Sequence, residues 1–203
     1  MEGSAAGPPA AGIQGFPVAL TSFVGRAGAL RKAGDLLAEY RLVTVTGPGG
    51  VGKTRLACEV ARQVADRFAD GACLVELAAI PDPEQVPSAV VAALGVRPPP
   101  GVPATEALTR VLARRQLLVV LDNCEHVIGA VAALCGELLR ACDDLRILAT
   151  SREALRIAGE AAYRLAPLPV PVPGAADGGA DTADAEAVAL FADRARAADA
   201  GSR

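Results

Sequence analysis

The feature that most narrows what this chain can fold into is an eight-residue run near its first quarter: Gly47-Pro48-Gly49-Gly50-Val51-Gly52-Lys53-Thr54. It fits the pattern Gly-x-x-x-x-Gly-Lys-Ser/Thr, and its flanks matter as much as its letters. Before it stands a short β-rich run, Leu42-Val43-Thr44-Val45-Thr46; after it, Ala57, Val60, Ala61 and Val64 recur at helical spacing, which predicts a helix from about 52 to 68. A strand, a glycine turn and a helix in that order make a cradle for phosphate. Glycines let the backbone N–H groups point inward with no Cβ in the way, and the helix N-terminus adds its dipole. The side chain of Lys53 reaches β- and γ-phosphates, and the Thr54 hydroxyl supplies a ligand for Mg²⁺. Gly47 through Thr54, with Arg55 behind them, are therefore the candidate nucleotide-binding residues.

The rest of the pattern sets the fold class. Helical spacing marks 26–40, 84–94, 105–115 and 127–142, and strand-like runs mark 72–78, 117–121, 145–150 and 161–165. Strands alternating with helices imply a mostly parallel sheet of five strands with helices on both faces, a three-layer α/β fold. At 203 residues the chain accommodates one such domain. Hydrophobic residues are 52% of it and charged ones 21%, which excludes a wholly disordered chain. Residues 1–17 are Gly/Ala/Pro-rich and read as an unstructured tail, so the nucleotide-binding domain is expected over 18–166. A second Pro/Gly/Ala-rich stretch, 167–183, reads as a linker to a last helix within 184–203, where Val188, Leu190 and Phe191 are apolar.

Charge and cysteine content exclude other classes. Lys and Arg number 20 and Asp and Glu 23, a net charge of −3, so the chain lacks the basic excess of a nucleic-acid-binding module. The uncharged stretch 3–24 carries three prolines and follows Glu2, which fits neither a membrane span nor a signal peptide. Five cysteines with no Cys-x-x-Cys pair read as reduced, buried thiols of a cytoplasmic protein, and a single His126 offers no metal cluster.

Two further strand ends carry chemistry. The apolar run 117–121 ends in Asp122, sixty-nine residues after Lys53, at the sheet edge where α/β proteins bind ligands. There a carboxylate holds hydrated Mg²⁺. Many ATPases with this strand arrangement place a water-polarising Glu directly after the Asp, but here the place is taken by Asn123. Glu125 is a substitute for it or a helix-start carboxylate facing the dipole. Strand 145–150 ends in Thr150-Ser151-Arg152 on the same edge, so Arg152 is either a γ-phosphate reader or an ordinary surface arginine.

Taken together, residues 20–26 (LTSFVGR), 42–57 (LVTVTGPGGVGKTRLA), 117–126 (LLVVLDNCEH), 145–155 (LRILATSREAL) and 187–198 (AVALFADRARAA) resemble the nucleotide-binding domain of NB-ARC-type signal-transduction ATPases, the STAND class, of bacterial transcriptional regulators. The resemblance spans about 20–198. It implies a P-loop NTPase fold that binds ATP and ADP with Mg²⁺, adenine contacts near Val24 and Arg26, and a sensor role for Arg152. It also implies work by switching between nucleotide states, with slow hydrolysis at most, and partners among domains of the same parent chain or further copies of itself. The family signature near the adenine has Glu where this chain has Ala27, and the family's helical lid is largely absent. A small metabolic kinase and a non-hydrolysing scaffold are the competing expectations.

Overall fold

The computed structural model describes residues 12–17 and 26–167. Six strands and five helices alternate through them. They are β1 (Ile13–Gln14), α1 (Ala27–Glu39), β2 (Leu42–Thr46), α2 (Lys53–Val64), β3 (Ala72–Glu76), α3 (Val86–Ala93), α4 (Ala104–Leu112), β4 (Leu118–Asp122), α5 (Ile128–Ala141), β5 (Arg146–Ser151) and β6 (Glu160–Arg164). All strands pair in parallel, in the order β1-β3-β4-β5-β2-β6.

Strand alternation sorts the core into two halves. Leu42, Val75, Val119, Leu121 and Ile147 point to one face and pack under α3, α4 and α5. Val43, Val45, Leu74, Val120 and Leu148 point to the other and pack under α1 and α2. A sheet covered on both faces needs near-continuous apolar strands, and β4 is buried at every position. With helices on both sides this is the three-layer α/β architecture that the alternating pattern implies.

Three differences from the sequence reading have physical causes. The sheet has a sixth strand, because Ile13 and Gln14 pair with Ala72 and Cys73 at its edge. The tail expectation for 1–17 therefore fails at 12–17: Gly12 also accepts a hydrogen bond from the Ala72 N–H. Two residues are too few to show a period. The helix expected from 52 to 68 ends at Val64 and tightens into a single 3₁₀ turn over Ala65–Arg67. The helix expected over 105–115 closes early, at Leu112. Val24, nearly all of the 167–183 linker and the 184–203 helix lie outside the described residues. No helix among the described residues is long and apolar enough to cross a membrane.

Candidate phosphate and metal site

The C-terminal ends of β2, β4 and β5 converge on one edge of the sheet, and α2 begins there. The loop between β2 and α2 turns on three glycines in the left-handed half of backbone space, Gly47 (φ 149°), Gly50 (φ 74°) and Gly52 (φ 93°). At Gly47 a Cβ would meet the Leu165 carbonyl oxygen at 2.7 Å, so the loop can begin this close to the chain following β6 only with glycine. At Gly50 and Gly52 a Cβ would meet nothing, and there the positive φ is the requirement.

Lys53 is the first residue of α2 and is 8% exposed. Its Nζ curls back to donate to the Gly47 and Pro48 carbonyls, both at 3.0 Å. Those contacts hold the ammonium over the mouth of the loop. A buried ammonium placed among backbone groups, with no carboxylate paired to it among the described residues, suits an anion of high charge. The neighbouring Thr54 Oγ1 donates to Asp122 Oδ1 at 2.8 Å. The same carboxylate oxygen accepts from Thr150 Oγ1 on β5, and that hydroxyl in turn accepts from the Asn123 N–H at 3.0 Å. Asp122 is thus buried and fixed between two hydroxyls. The Thr54 hydroxyl beside the Asp122 carboxylate is a hard-oxygen pair of the kind Mg²⁺ takes alongside waters and phosphate oxygens. Among the described residues no cluster of three or more His, Cys, Asp or Glu would hold a metal unaided. A cation here therefore depends on what the phosphate loop carries.

Arg152 follows β5. Its Nε donates to Glu125 Oε1 at 3.2 Å, and its Nη2 lies 3.9 Å from where a Cβ on Gly49 would stand. The guanidinium therefore overlooks the phosphate loop. Its side chain is 70% exposed, whereas that of Glu125 is 19% exposed, with Oε2 buried and without a hydrogen-bond partner among the described residues. Glu125 lies in the single 3₁₀ turn Cys124–His126, entered through Asn123 at φ 64°. His126 Nε2 lies 3.0 Å from the Ile80 carbonyl, which ties this turn to the segment after β3.

The structure brings the loop residues, Lys53, Thr54, Asp122, Glu125 and Arg152 to one edge, as their strand-end positions predict. Arg26 stands at the start of α1, with φ 64°. Thr150 was missed as a site residue, although a hydroxyl at the end of an apolar run was the signal. The cysteines stay outside this chemistry. All five are buried and free, and burial pushes the thiols up, Cys58 and Cys73 to about 11 and Cys135 to about 12.

A family described as "AAA domain" matches residues 38–158. An uncharacterized protein of Mycobacterium tuberculosis is 41% identical over 177 residues, which cover 87% of this chain and 42% of that protein. A putative HTH-type transcriptional regulator of the same organism is 47% identical over 160 residues, covering 79% of this chain and 16% of the regulator. The regulatory protein AfsR of Streptomyces coelicolor is 35% identical over 155 residues, covering 68% and 15%. The chain thus spans less than half the length of these relatives. Among solved structures, one of Drosophila ORC bound to DNA superposes with a TM-score of 0.56 at 16% identity, covering 70% of this chain and 43% of that one.

Proposed function

The chain belongs to the AAA-domain family of P-loop ATPases, and from that premise we propose that it is the ATP- and ADP-binding core of a nucleotide-dependent switch in a bacterial transcriptional regulator. The observation that carries the reading is the pairing of a buried Lys53 over the glycine loop with Thr54 and Asp122 2.8 Å apart beside it. One group serves a phosphate chain and the other serves its metal.

Each residue then has a task. Backbone N–H groups of the loop through Gly52 hold the phosphates, and Lys53 exchanges its two carbonyl contacts for phosphate oxygens. Thr54 and Asp122 would hold Mg²⁺, which neutralises phosphate charge when bound. Arg152 reads the γ-phosphate, for which its exposed guanidinium has only to swing from Glu125. Val24, Arg26 and Arg55 belong to the base and phosphate contacts by resemblance to the NB-ARC and STAND pattern. That pattern, the relatives that are transcriptional regulators and the short span of the chain within them support a regulatory output passed to other domains of a parent protein. A cytoplasmic setting accords with five reduced thiols. Work in such a device comes from unequal binding to two states, so fast turnover is not required.

The test is calorimetric titration of ADP and ATP with Mg²⁺ into the chain and into Lys53→Ala. The expected result is reversible binding by the chain and a loss of at least about 100-fold, ~2.7 kcal/mol, in the variant, with its thermal midpoint kept. Equal affinity in the two proteins would remove the phosphate-loop reading. Rapid phosphate transfer to an added acceptor would favour a kinase instead.

A further inference from the structure

At the C-terminal end of β3, Glu76 stands in register with Asp122 of β4. Side chains alternate along a strand, so Glu76 shares a face with Ala72 and Leu74, and Asp122 shares one with Leu118 and Val120. All four of those apolar residues belong to the half of the core under α1 and α2. The two carboxylates therefore stand side by side on the face from which α2 presents Thr54. Cys58, one turn along α2, agrees: the negative charges of Asp122 and Glu76 both help to push its thiol up, after burial itself. Their situations differ. Asp122 is 8% exposed and engaged by two hydroxyls. Glu76 is exposed at the cleft edge, and among the described residues no hydrogen bond or ion pair holds its carboxylate.

The groups nearer in sequence to Asp122 are less suited to activating a water. Asn123 carries an amide, which takes no proton, and its backbone is turned at φ 64° with the N–H given to Thr150. Glu125 has one oxygen buried away from solvent, and the other is free only once Arg152 has turned to the γ-phosphate. Adjacent strands are about 4.8 Å apart, so Glu76, on the side of Asp122 away from β5 and β2, stands one strand spacing from a water held at Asp122.

We propose that Glu76 is the catalytic base of this cleft, orienting the attacking water and taking its proton. The assignment rests on the nucleotide reading above. As Glu76 accepts the proton, the water oxygen bonds to the γ-phosphorus. The bond from that phosphorus to the β–γ bridging oxygen breaks, and ADP departs with the electron pair. Inorganic phosphate is the other product, and Glu76 returns its proton to solvent.

Glu76→Gln and Glu76→Asp are compared with the unaltered chain in two measurements. One is calorimetric binding of ADP and of ADP with aluminium fluoride, in Mg²⁺. The other is phosphate release from ATP, with Lys53→Ala as background. Glu76→Gln is expected to bind ADP within about threefold of the unaltered chain and to lose at least about tenfold in affinity for the aluminium fluoride complex. Its phosphate release falls about 100-fold or to background, the usual share of a general base. Glu76→Asp recovers part of both. Retained release and retained affinity for the complex in Glu76→Gln overturn the assignment, and so does finding both losses in Glu125→Gln instead. A chain that binds nucleotide but releases no phosphate removes the role of Glu76 and leaves the switch intact. One that binds no nucleotide removes both.

Discussion

Asp122 and Glu125 lie three residues apart at the end of one strand, and the protein treats them differently. Asp122 is on regular structure, with Thr150 on the neighbouring strand and Thr54 on the helix that follows the loop, and both hydroxyls close on one of its oxygens. Glu125 sits past a left-handed Asn123 on a single turn, and its partner is the flexible side chain of Arg152. A group that must hold its position in every nucleotide state gains from rigid neighbours on strands and helices. A group that must respond to a phosphate gains from a partner it can leave. The floor of the cleft is pre-organised, and its rim is exchangeable.

The largest expected effect breaks the floor. Asp122→Ala removes the acceptor of both hydroxyls and, on the proposed reading, a ligand for the metal. The Mg²⁺-dependent gain in ATP affinity should disappear, a loss of at least about tenfold or ~1.4 kcal/mol, read by titration with Mg²⁺ and with EDTA. A Mg²⁺ gain that survives would take the metal away from Asp122. Next comes the rim: Arg152→Ala should weaken ATP by about 1–3 kcal/mol and ADP by much less, since the contact proposed for it is a charge-assisted one to the γ-phosphate. Equal weakening of both nucleotides would place Arg152 against the α- and β-phosphates. The smallest effect sharpens the contrast. Glu125→Gln keeps a hydrogen-bond acceptor for Arg152 and removes only an ion pair whose arginine is 70% exposed. The thermal midpoint should then move by the equivalent of less than ~1 kcal/mol. A larger fall would show that the buried Glu125 Oε2 belongs to the fold.

Most of the site was legible in the sequence, because each of its parts follows an element that runs to the sheet edge. Lys53 and Thr54 follow a glycine turn after a β-rich run, and Asp122 and Arg152 follow apolar strands. What was not legible depends on which strands are neighbours. Glu76 ends its strand just as Asp122 does and Thr150 is one residue from the end of its own, but only the order β3-β4-β5 sets one on each side of Asp122. The two-residue β1 escaped for a simpler reason. Its pairing is decided by the exposed edge of β3, and neither Ile13 nor Gln14 is itself buried.

The placement of β2 bears on how the polypeptide is made. β2 carries the phosphate loop, and its partners on the two sides are β5 and β6, the last strands of the described chain. A nascent chain leaving the ribosome therefore presents the loop, β2 and α2 long before either sheet partner exists. Parallel pairings of such separation form late and slowly. Until β5 has emerged, both edges of an apolar strand remain open, and one stays open until Arg164 follows, the state in which chaperones are needed most. A fragment cut between α2 and β5 would contain the whole glycine loop and still lack the two strands that pair with β2.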